Sequence, residues 1–260
     1  MTIPLYQVDA FTGTLFAGNP AAVVFPSAEL SAATMQAIAA ENNLAETAFV
    51  LPAEDGFRIR WFTPSVEVDL CGHATLASAH VLFSHRGFPW ETISFSSKSG
   101  TLQVRKDGEL LVLDFPADTL CAVEIPPGLS AGLGVEPREI YRGKDDYLAV
   151  LGDEKEIAGL APNTARLSAV HCRGVIVTAP GSGVDFVSRF FAPRIGINED
   201  PVTGSAHTAL VPYWAKRLGK TRLRARQLSP RGGELNCRDC GARVEIAGRA
   251  VTYLIGEIVL

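Results

Sequence analysis

The stretch Arg60-Trp61-Phe62-Thr63-Pro64 returns, roughly 130 residues later, as Arg189-Phe190-Phe191-Ala192-Pro193. A few residues beyond each copy, Cys71-Gly72-His73-Ala74 is matched by Thr203-Gly204-Ser205-Ala206. Both halves therefore share one pattern: a strand that ends in an aromatic residue, a Pro turn, and a small-residue motif that enters an Ala-rich helix. Because both matches occur in the same order, the sequence favours an internal duplication.

The distribution of apolar runs predicts the fold class. Many short runs rich in Val, Ile, Phe and Leu are separated by Gly or Pro, whereas helical patterns occur only near 32–41, 74–83 and 205–218. Strands and helices do not alternate regularly, which favours an α+β fold over a doubly wound sheet. We predict two similar domains: residues 1–116, completed by a C-terminal strand at 250–260, and residues 117–249, a pseudo-repeat of the first.

Composition excludes several functional classes. With 47% hydrophobic and 20% charged residues and a net charge of −4, the chain has the profile of a globular protein without a nucleic-acid partner. No run of 18 apolar residues is present, and the N-terminus lacks the basic start and apolar core of a secretory signal. We therefore expect no membrane association and a cytoplasmic location.

Two local features suggest other functions less strongly. The segment 216–231 carries seven cations and no acid, and we interpret it as a solvated surface after a helix more readily than as a phosphate-binding patch. The five cysteines are scattered, and Cys237 and Cys240 form a single C-x-x-C without a second ligand pair. A metal site is therefore not expected.

The paired small-residue motifs suggest an anion site. A helix N-terminus presents unpaired backbone N–H groups and a partial positive charge, and a glycine there lets a ligand approach the backbone closely. Gly72 and Gly204 are placed to hold a carboxylate and to stabilise an enolate-like oxyanion beside it. The alternative is that each glycine merely begins a helix.

Proton transfer at carbon needs a base, and candidates cluster near these motifs. His73 lies at the first helix start, where the helix dipole should disfavour its protonated form. Asp200 and Ser205 flank the second start, although Asp200 is equally suited to a turn or N-cap. Glu46, which enters an apolar strand, is either buried or an ordinary edge residue. Three other histidines are interpreted as structural or surface residues: His80, His85 and His171.

Four motifs together resemble the PhzF-like family, named for the isomerase of phenazine biosynthesis. They are Val8-Asp9-Ala10-Phe11-Thr12 with Gly18-Asn19-Pro20-Ala21, Asn43-Leu44-Ala45-Glu46-Thr47-Ala48-Phe49, Asp69-Leu70-Cys71-Gly72-His73-Ala74-Thr75, and Glu199-Asp200-Pro201-Val202-Thr203-Gly204-Ser205-Ala206. The resemblance spans roughly residues 3–258, with the motifs in the family's order. It implies the diaminopimelate epimerase-like fold, in which each domain is a curved mixed sheet around a central helix. It also implies an active site between the domains, a homodimer, and no metal or organic cofactor.

The resemblance assigns expected roles to individual residues. Glu46 matches the catalytic general acid/base, and His73 and Asp200 match further catalytic positions. The matched substrate-binding positions are Gly72, Gly204, Ser205 and Asn19. In the phenazine enzyme this machinery isomerises trans-2,3-dihydro-3-hydroxyanthranilate, so we expect a cofactor-independent isomerase acting on a small carboxylate, the substrate itself remaining open.

Cys71 and Thr203 help to decide whether the chain is a racemase or epimerase of the same fold. Racemases and epimerases of this fold use two cysteines, one at each helix start, but here the second position is Thr203, whose hydroxyl is far too weak an acid to replace a thiol. A two-thiol mechanism is therefore disfavoured. An amino-acid epimerase that uses Cys71 with Glu46 or Asp200 stays open, as does a non-catalytic interaction protein.

Overall fold

The structure, a computed structural model that describes residues 2–260, is built mainly from strands with few helices. The strands are β1 (Thr2–Ala10), β2 (Asn19–Val24), β3 (Glu46–Ala53), β4 (Gly56–Phe62), β5 (Glu67–Val68), β6 (Thr92–Ser97), β7 (Gly100–Asp107), β8 (Leu110–Pro116), β9 (Cys121–Ala122), β10 (Glu139–Arg142), β11 (Asp146–Val150), β12 (Gly174–Pro180), β13 (Phe186–Phe191), β14 (Arg222–Gln227), β15 (Gly233–Asp239), β16 (Arg243–Gly248) and β17 (Ala250–Val259). The α-helices are α1 (Ala32–Asn42), α2 (Gly72–His85), α3 (Leu129–Leu133), α4 (Glu154–Ala158), α5 (Thr164–Leu167) and α6 (Gly204–Leu218), with one 3₁₀ turn at Pro193–Ile195.

The chain divides into two units. The first contains the residues up to Asp114 together with Ala247–Leu260, and the second contains Phe115–Ile246. The C-terminal strand β17 lies in the first unit, where it pairs antiparallel with the whole of β1.

Strand pairing in the first unit follows a fixed order. β17 pairs with β1 and β1 with β2, both antiparallel, and β2 then pairs parallel with β3. β3 is antiparallel to β4, β4 is parallel to β6, and β6 is antiparallel to β7. A further antiparallel step joins β7 to β8.

The second unit repeats this order strand for strand. β9 pairs with β10 and β10 with β11, both antiparallel, and β11 is parallel to β12. β12 is antiparallel to β13, β13 is parallel to β14, and β14 is antiparallel to β15. The predicted α+β fold with two similar halves is confirmed by this shared topology.

Each unit buries one long helix. In α2, nine of the fourteen positions are buried, and most of these are Ala, Ser or Thr. Small side chains on nearly every face allow strands to pack closely around a helix, which is the pattern of a helix at the centre of a core. In α6 the larger Trp214 stacks on Phe186 and donates from Nε1 to Thr178 Oγ1 at 2.9 Å.

The repeated arginines form equivalent bidentate ion pairs with a glutamate in both units. Arg60 donates from Nε and Nη2 to the two carboxylate oxygens of Glu67, at 2.7 and 2.9 Å. Arg189 makes the equivalent pair of bonds to Glu199, also at 2.7 and 2.9 Å. These bidentate pairs tie the end of β4 or β13 to the segment that leads into the long helix.

Some elements were not evident from the sequence. β14 and β15 lie in polar stretches, and β14 occupies part of the 216–231 segment that we interpreted as a solvated surface after a helix. Its charged residues are exposed or half-buried and alternate with buried ones, so this part of the segment is an amphipathic strand whose cations lie on the solvent side. Among the helices of residues 2–260, none combines the length and apolarity needed to cross a membrane.

Candidate active site

Glu46 is the first residue of β3 and does not lie on a sheet edge. β3 is flanked by β2, where Ala21 pairs with Glu46, and by β4 on its other side. The Glu46 side chain is only 12% exposed. The edge interpretation is therefore wrong, and the reason is the non-local pairing with β2, which sequence spacing does not reveal.

A tight turn brings Asn19 to the same region. Gly18 has φ +67°, and a Cβ at this position would lie 2.2 Å from the carbonyl oxygen of Ala10, so the turn requires glycine. Asn19 follows as the first residue of β2, is fully buried, and places its side-chain amide group 3.2 Å from Nδ1 of His73. A protonated Nδ1 can only donate, so the amide supports a charged imidazole through its oxygen.

The start of α2 carries the remaining groups of this cluster. Cys71 is the N-cap residue and makes no well-formed side-chain capping bond; its sulfur lies toward the N–H of Ala74, and it does not accept from the N–H groups of Gly72 and His73. His73 lies in the first turn, with its side chain 6% exposed. The same motif thus supplies an uncapped helix start and a buried imidazole.

His73 contacts a different group through each ring nitrogen. Nε2 lies 3.1 Å from Oε2 of Glu46, and Nδ1 lies 3.5 Å from Sγ of Cys71. Within residues 2–260, neither Glu46 Oε2 nor His73 Nε2 has a well-directed hydrogen-bond partner, so their mutual contact is ionic and poorly aligned. Two buried polar atoms in that condition call for a functional explanation.

The charge state of His73 differs from our expectation. Burial by itself lowers the pKa of His73, but the neighbouring Cys71 and Glu46 groups outweigh it and raise that pKa well above the usual value. The sequence suggested the opposite direction, because it showed the helix start and not the carboxylate beside it. The observed arrangement favours an imidazolium at neutral pH.

Cys71 is present as a thiol. Burial, and secondarily the charge of Glu46, raises the pKa of Cys71 above its ordinary value, so the protonated form dominates at neutral pH. Cys71 and Glu46 act together in raising the pKa of His73, and Cys71 is the larger of the two causes. Ligand atoms of Glu46, Cys71 and His73 lie within 4.8 Å of one another, a spacing that could admit a metal ion. The imidazole, however, turns separate nitrogens to its two neighbours, which is the geometry of a hydrogen-bonded relay.

The second unit holds its own polar cluster at the start of α6. Thr203 is the N-cap residue and, like Cys71, makes no side-chain capping bond, while Gly204 and Ser205 begin the helix. Thr203 Oγ1 donates to Oδ2 of Asp200 at 2.5 Å. Asp200 and Ser205 are half-buried. The structure thus groups Asp200, Gly204 and Ser205 in the second unit, and Asn19, Glu46, Gly72 and His73 in the first.

Sequence reasoning missed Gln227. This residue ends β14 and is 1% exposed, and its amide contacts the backbone and side chain of the turn that begins α6. A signal was present in the sequence: Gln227 continues the alternation that buries Leu223 and Ala225, so a polar residue occupies an inward-facing position.

Two other histidines lie outside both clusters. His80 and His85 each approach Thr252 Oγ1, at 2.9 and 2.7 Å, so these two have a common partner that the sequence did not show. Burial lowers the pKa of His80 to about 4. His207, in α6, is fully buried and its Nδ1 lies 2.8 Å from the carbonyl oxygen of Thr203.

A mixed sheet around a buried helix, built twice, is the diaminopimelate epimerase-like fold. The family described as "Phenazine biosynthesis-like protein" matches residues 8–256, and the chain belongs to this family. An isomerase of Pseudomonas aeruginosa, described as uncharacterized, is 52% identical over 99% of both chains. A mouse phenazine biosynthesis-like domain-containing protein is 42% identical over 99% of both chains.

Solved structures agree with this assignment. The crystal structure of a PhzF family protein from Enterococcus faecalis superimposes with a TM-score of 0.97, at 49% identity and full coverage of both chains. A probable proline racemase from Agrobacterium radiobacter, 12% identical with a TM-score of 0.66, shares the fold over 99% of this chain and 93% of its own. The predicted family, fold and enzyme class, an isomerase, are confirmed.

Proposed function

We propose that this isomerase moves a proton on a small carboxylate substrate without a cofactor, and that Glu46 is the general acid/base. The observation that carries the proposal is the contact between Glu46 Oε2 and His73 Nε2, 3.1 Å apart, both buried and neither well hydrogen-bonded. A carboxylate in such a position can accept a proton from carbon, because it is desolvated and oriented before substrate arrives.

The charge coupling in this pair gives His73 a role. While Glu46 is ionised, its charge holds a proton on the imidazole. When Glu46 takes a proton from the substrate, that support is lost and His73 becomes a stronger acid. His73 is then able to donate a hydrogen bond, or its proton, to a developing oxyanion or to another substrate atom.

The helix start beside the pair is suited to the substrate carboxylate. The first turn of α2 has backbone N–H groups that no N-cap side chain accepts, next to Gly72. These groups and the helix dipole favour an anion. Gly204 offers the same kind of group in the second unit, and by family resemblance Asp200 and Ser205 are proposed to contact polar substituents of the substrate.

Cys71 supports one alternative. Its sulfur lies 3.5 Å from His73 Nδ1, within hydrogen-bonding reach of the imidazole. An amino-acid epimerase that uses Cys71 on one face of the substrate therefore remains the second candidate. The raised pKa of the buried thiol argues against this role.

One experiment tests the proposal and separates it from the alternative. Small cyclic and amino carboxylates, including trans-2,3-dihydro-3-hydroxyanthranilate, are first screened for binding by thermal shift, and each ligand is then incubated with the protein in heavy water. The proposal expects a double-bond shift with deuterium on a carbon that is not inverted. Inversion of an amino acid with label at its α-carbon would favour the epimerase, and no exchange with any bound carboxylate would contradict both.

A homodimer and a cytoplasmic location complete the proposal. Phe16 packs edge to face against Tyr253, and Phe16 and the strand residue Ile255 expose large apolar side chains, 68% and 62% accessible. Patches of this kind mark association surfaces. Ile255→Glu should convert the dimer to a monomer in analytical ultracentrifugation, and a wild-type monomer would contradict this part of the proposal.

The five cysteines at 71, 121, 172, 237 and 240 are all free, as is usual in a reducing compartment, and they support the proposed cytoplasmic location.

A further inference from the structure

The backbone of Gln227 is fixed by two neighbouring strands. Its backbone pairs with Ser188 of β13 and with Gly233 of β15, so the residue sits between two neighbouring strands. The side chain is 1% exposed and reaches the turn that leads into α6. A buried amide in this position must find both donor and acceptor partners within the second unit.

Two backbone groups fix which way the amide points. Oε1 accepts from the N–H of Thr203 at 2.9 Å, and Nε2 donates to the carbonyl oxygen of Asp200 at 2.7 Å. A backbone N–H can only donate and a carbonyl can only accept, so the reverse orientation of the amide would lose both bonds. The second N–H of Nε2 faces Thr203 Oγ1 at 3.1 Å.

The fixed amide determines the direction of the next bond. Because Thr203 Oγ1 accepts from Gln227, its own proton is directed to Oδ2 of Asp200, 2.5 Å away. Such a short O–H···O contact is typical of a charged acceptor. The hydrogen bonds therefore run in one direction, from Gln227 through Thr203 to Asp200.

We propose that Gln227 is a positioning residue that fixes the direction of this chain and so holds Asp200 as an ionised acceptor. This inference rests on the proposed function for the role of Asp200 toward the substrate. It adds that the substrate group facing Asp200 is a hydrogen-bond donor, such as an amine or hydroxyl. It also gives Thr203 a function: it relays a hydrogen bond at the position where a two-thiol enzyme has its second cysteine.

The first test does not depend on the reaction. A double-mutant cycle combines Gln227→Met with Asp200→Asn and measures urea unfolding, first in the wild-type background and then with Thr203→Val. We expect the unfolding constant of the double mutant to depart from the product of the single effects by about threefold or more, and the departure to vanish with Thr203→Val. Independent effects in the wild-type background would overturn the proposal.

The second test uses turnover of the carboxylate identified by the screen. Gln227→Glu preserves the acceptor for Thr203, but only its protonated form can also donate to Thr203 Oγ1. Burial raises the pKa of such a carboxyl, so the variant-to-wild-type ratio of kcat should fall at least tenfold between about pH 5.5 and 8.5. Gln227→Met should lose activity equally across this range, and the exposed control Gln103→Glu should stay near wild type.

Equal, pH-independent losses in Gln227→Glu and Gln227→Met would overturn the inference. Absence of wild-type turnover would count against the proposed function alone, since the unfolding cycle judges Gln227 separately.

Discussion

The carboxylate of Glu46 lies 3.1 Å from Nε2 of His73, and the two groups come from elements far apart in the chain. Glu46 begins β3 and His73 lies in the first turn of α2. The contact joins a potential base to the imidazole whose proton it stabilises, beside an uncapped helix start. A strand start and a helix start that meet in one unit thus provide the elements of proton transfer.

The charge on His73 should depend on Glu46. Glu46→Gln removes the carboxylate while keeping its shape, so one of the two groups that raise the pKa of His73 is lost and that pKa should fall. In histidine-selective NMR titrations, His73 should titrate at lower pH in the variant than in the wild type. His207, whose pKa is already lowered to about 4 by burial, is the internal control and should not change. An unchanged His73 titration would contradict the coupling.

Cys71→Ala should have only a mild effect on turnover, within about threefold, if the thiol is a packing group. The reason is that burial keeps the sulfur protonated, so it contributes no base at neutral pH. Steady-state kinetics on the identified carboxylate checks this prediction. A loss of several orders of magnitude would restore the thiol mechanism.

The duplicated fold was predictable because its signals are local. The arginine-aromatic-proline repeat and the two small-residue motifs mark equivalent points in both units, and the structure gives those arginines identical bidentate bonds. Ser31 is likewise a local signal: it is the N-cap of α1, and its Oγ accepts from the Thr34 N–H. Each of these features depends on residues near one another in the sequence.

The environment of the site could not be read from the sequence in the same way. Glu46 is protected by a parallel partner strand, and Gln227 reaches a turn 24 residues away from it. Pairings of this kind are set by tertiary packing rather than by local propensity. The charge state of His73 could not be predicted for the same reason. The sequence showed the helix start, whose dipole disfavours the protonated form, but not the carboxylate of Glu46 that lies beside the imidazole.

Acid should destabilise the protein partly through His207. Burial lowers the pKa of His207 from 6.5 to about 4, so between these values the unfolded chain binds a proton that the folded chain does not. Stability from this group is complete above about pH 6.5 and is lost as the pH falls toward 4, by about 3 kcal/mol. His207→Asn keeps a donor for the Thr203 carbonyl and should remove this component from urea unfolding measured at several pH values. An identical pH dependence in the variant would contradict the assignment.

Arg189→Lys should destabilise the second unit by about 2–4 kcal/mol in the free energy of unfolding. A lysine cannot form the fork to Glu199 and also donate to the carbonyls of Ile157 and Leu160, as Nη1 of the arginine does. Arg58→Lys, which alters an exposed pair with Glu29, is the matched control and should cost less than about 1 kcal/mol. Equal losses of unfolding free energy in both variants would show that the buried ion pair of Arg189 contributes no more to stability than the exposed pair of Arg58.

Deuterium incorporation into the bound carboxylate, compared among the wild type, Glu46→Gln and Cys71→Ala, tests the central claim most directly. The glutamine variant should still bind the ligand in the thermal-shift assay, because the helix start and His73 remain. We expect label to enter the substrate with the wild type and with Cys71→Ala, and not with Glu46→Gln. Incorporation at the wild-type rate by Glu46→Gln would contradict the account and remove Glu46 from the proton-transfer step.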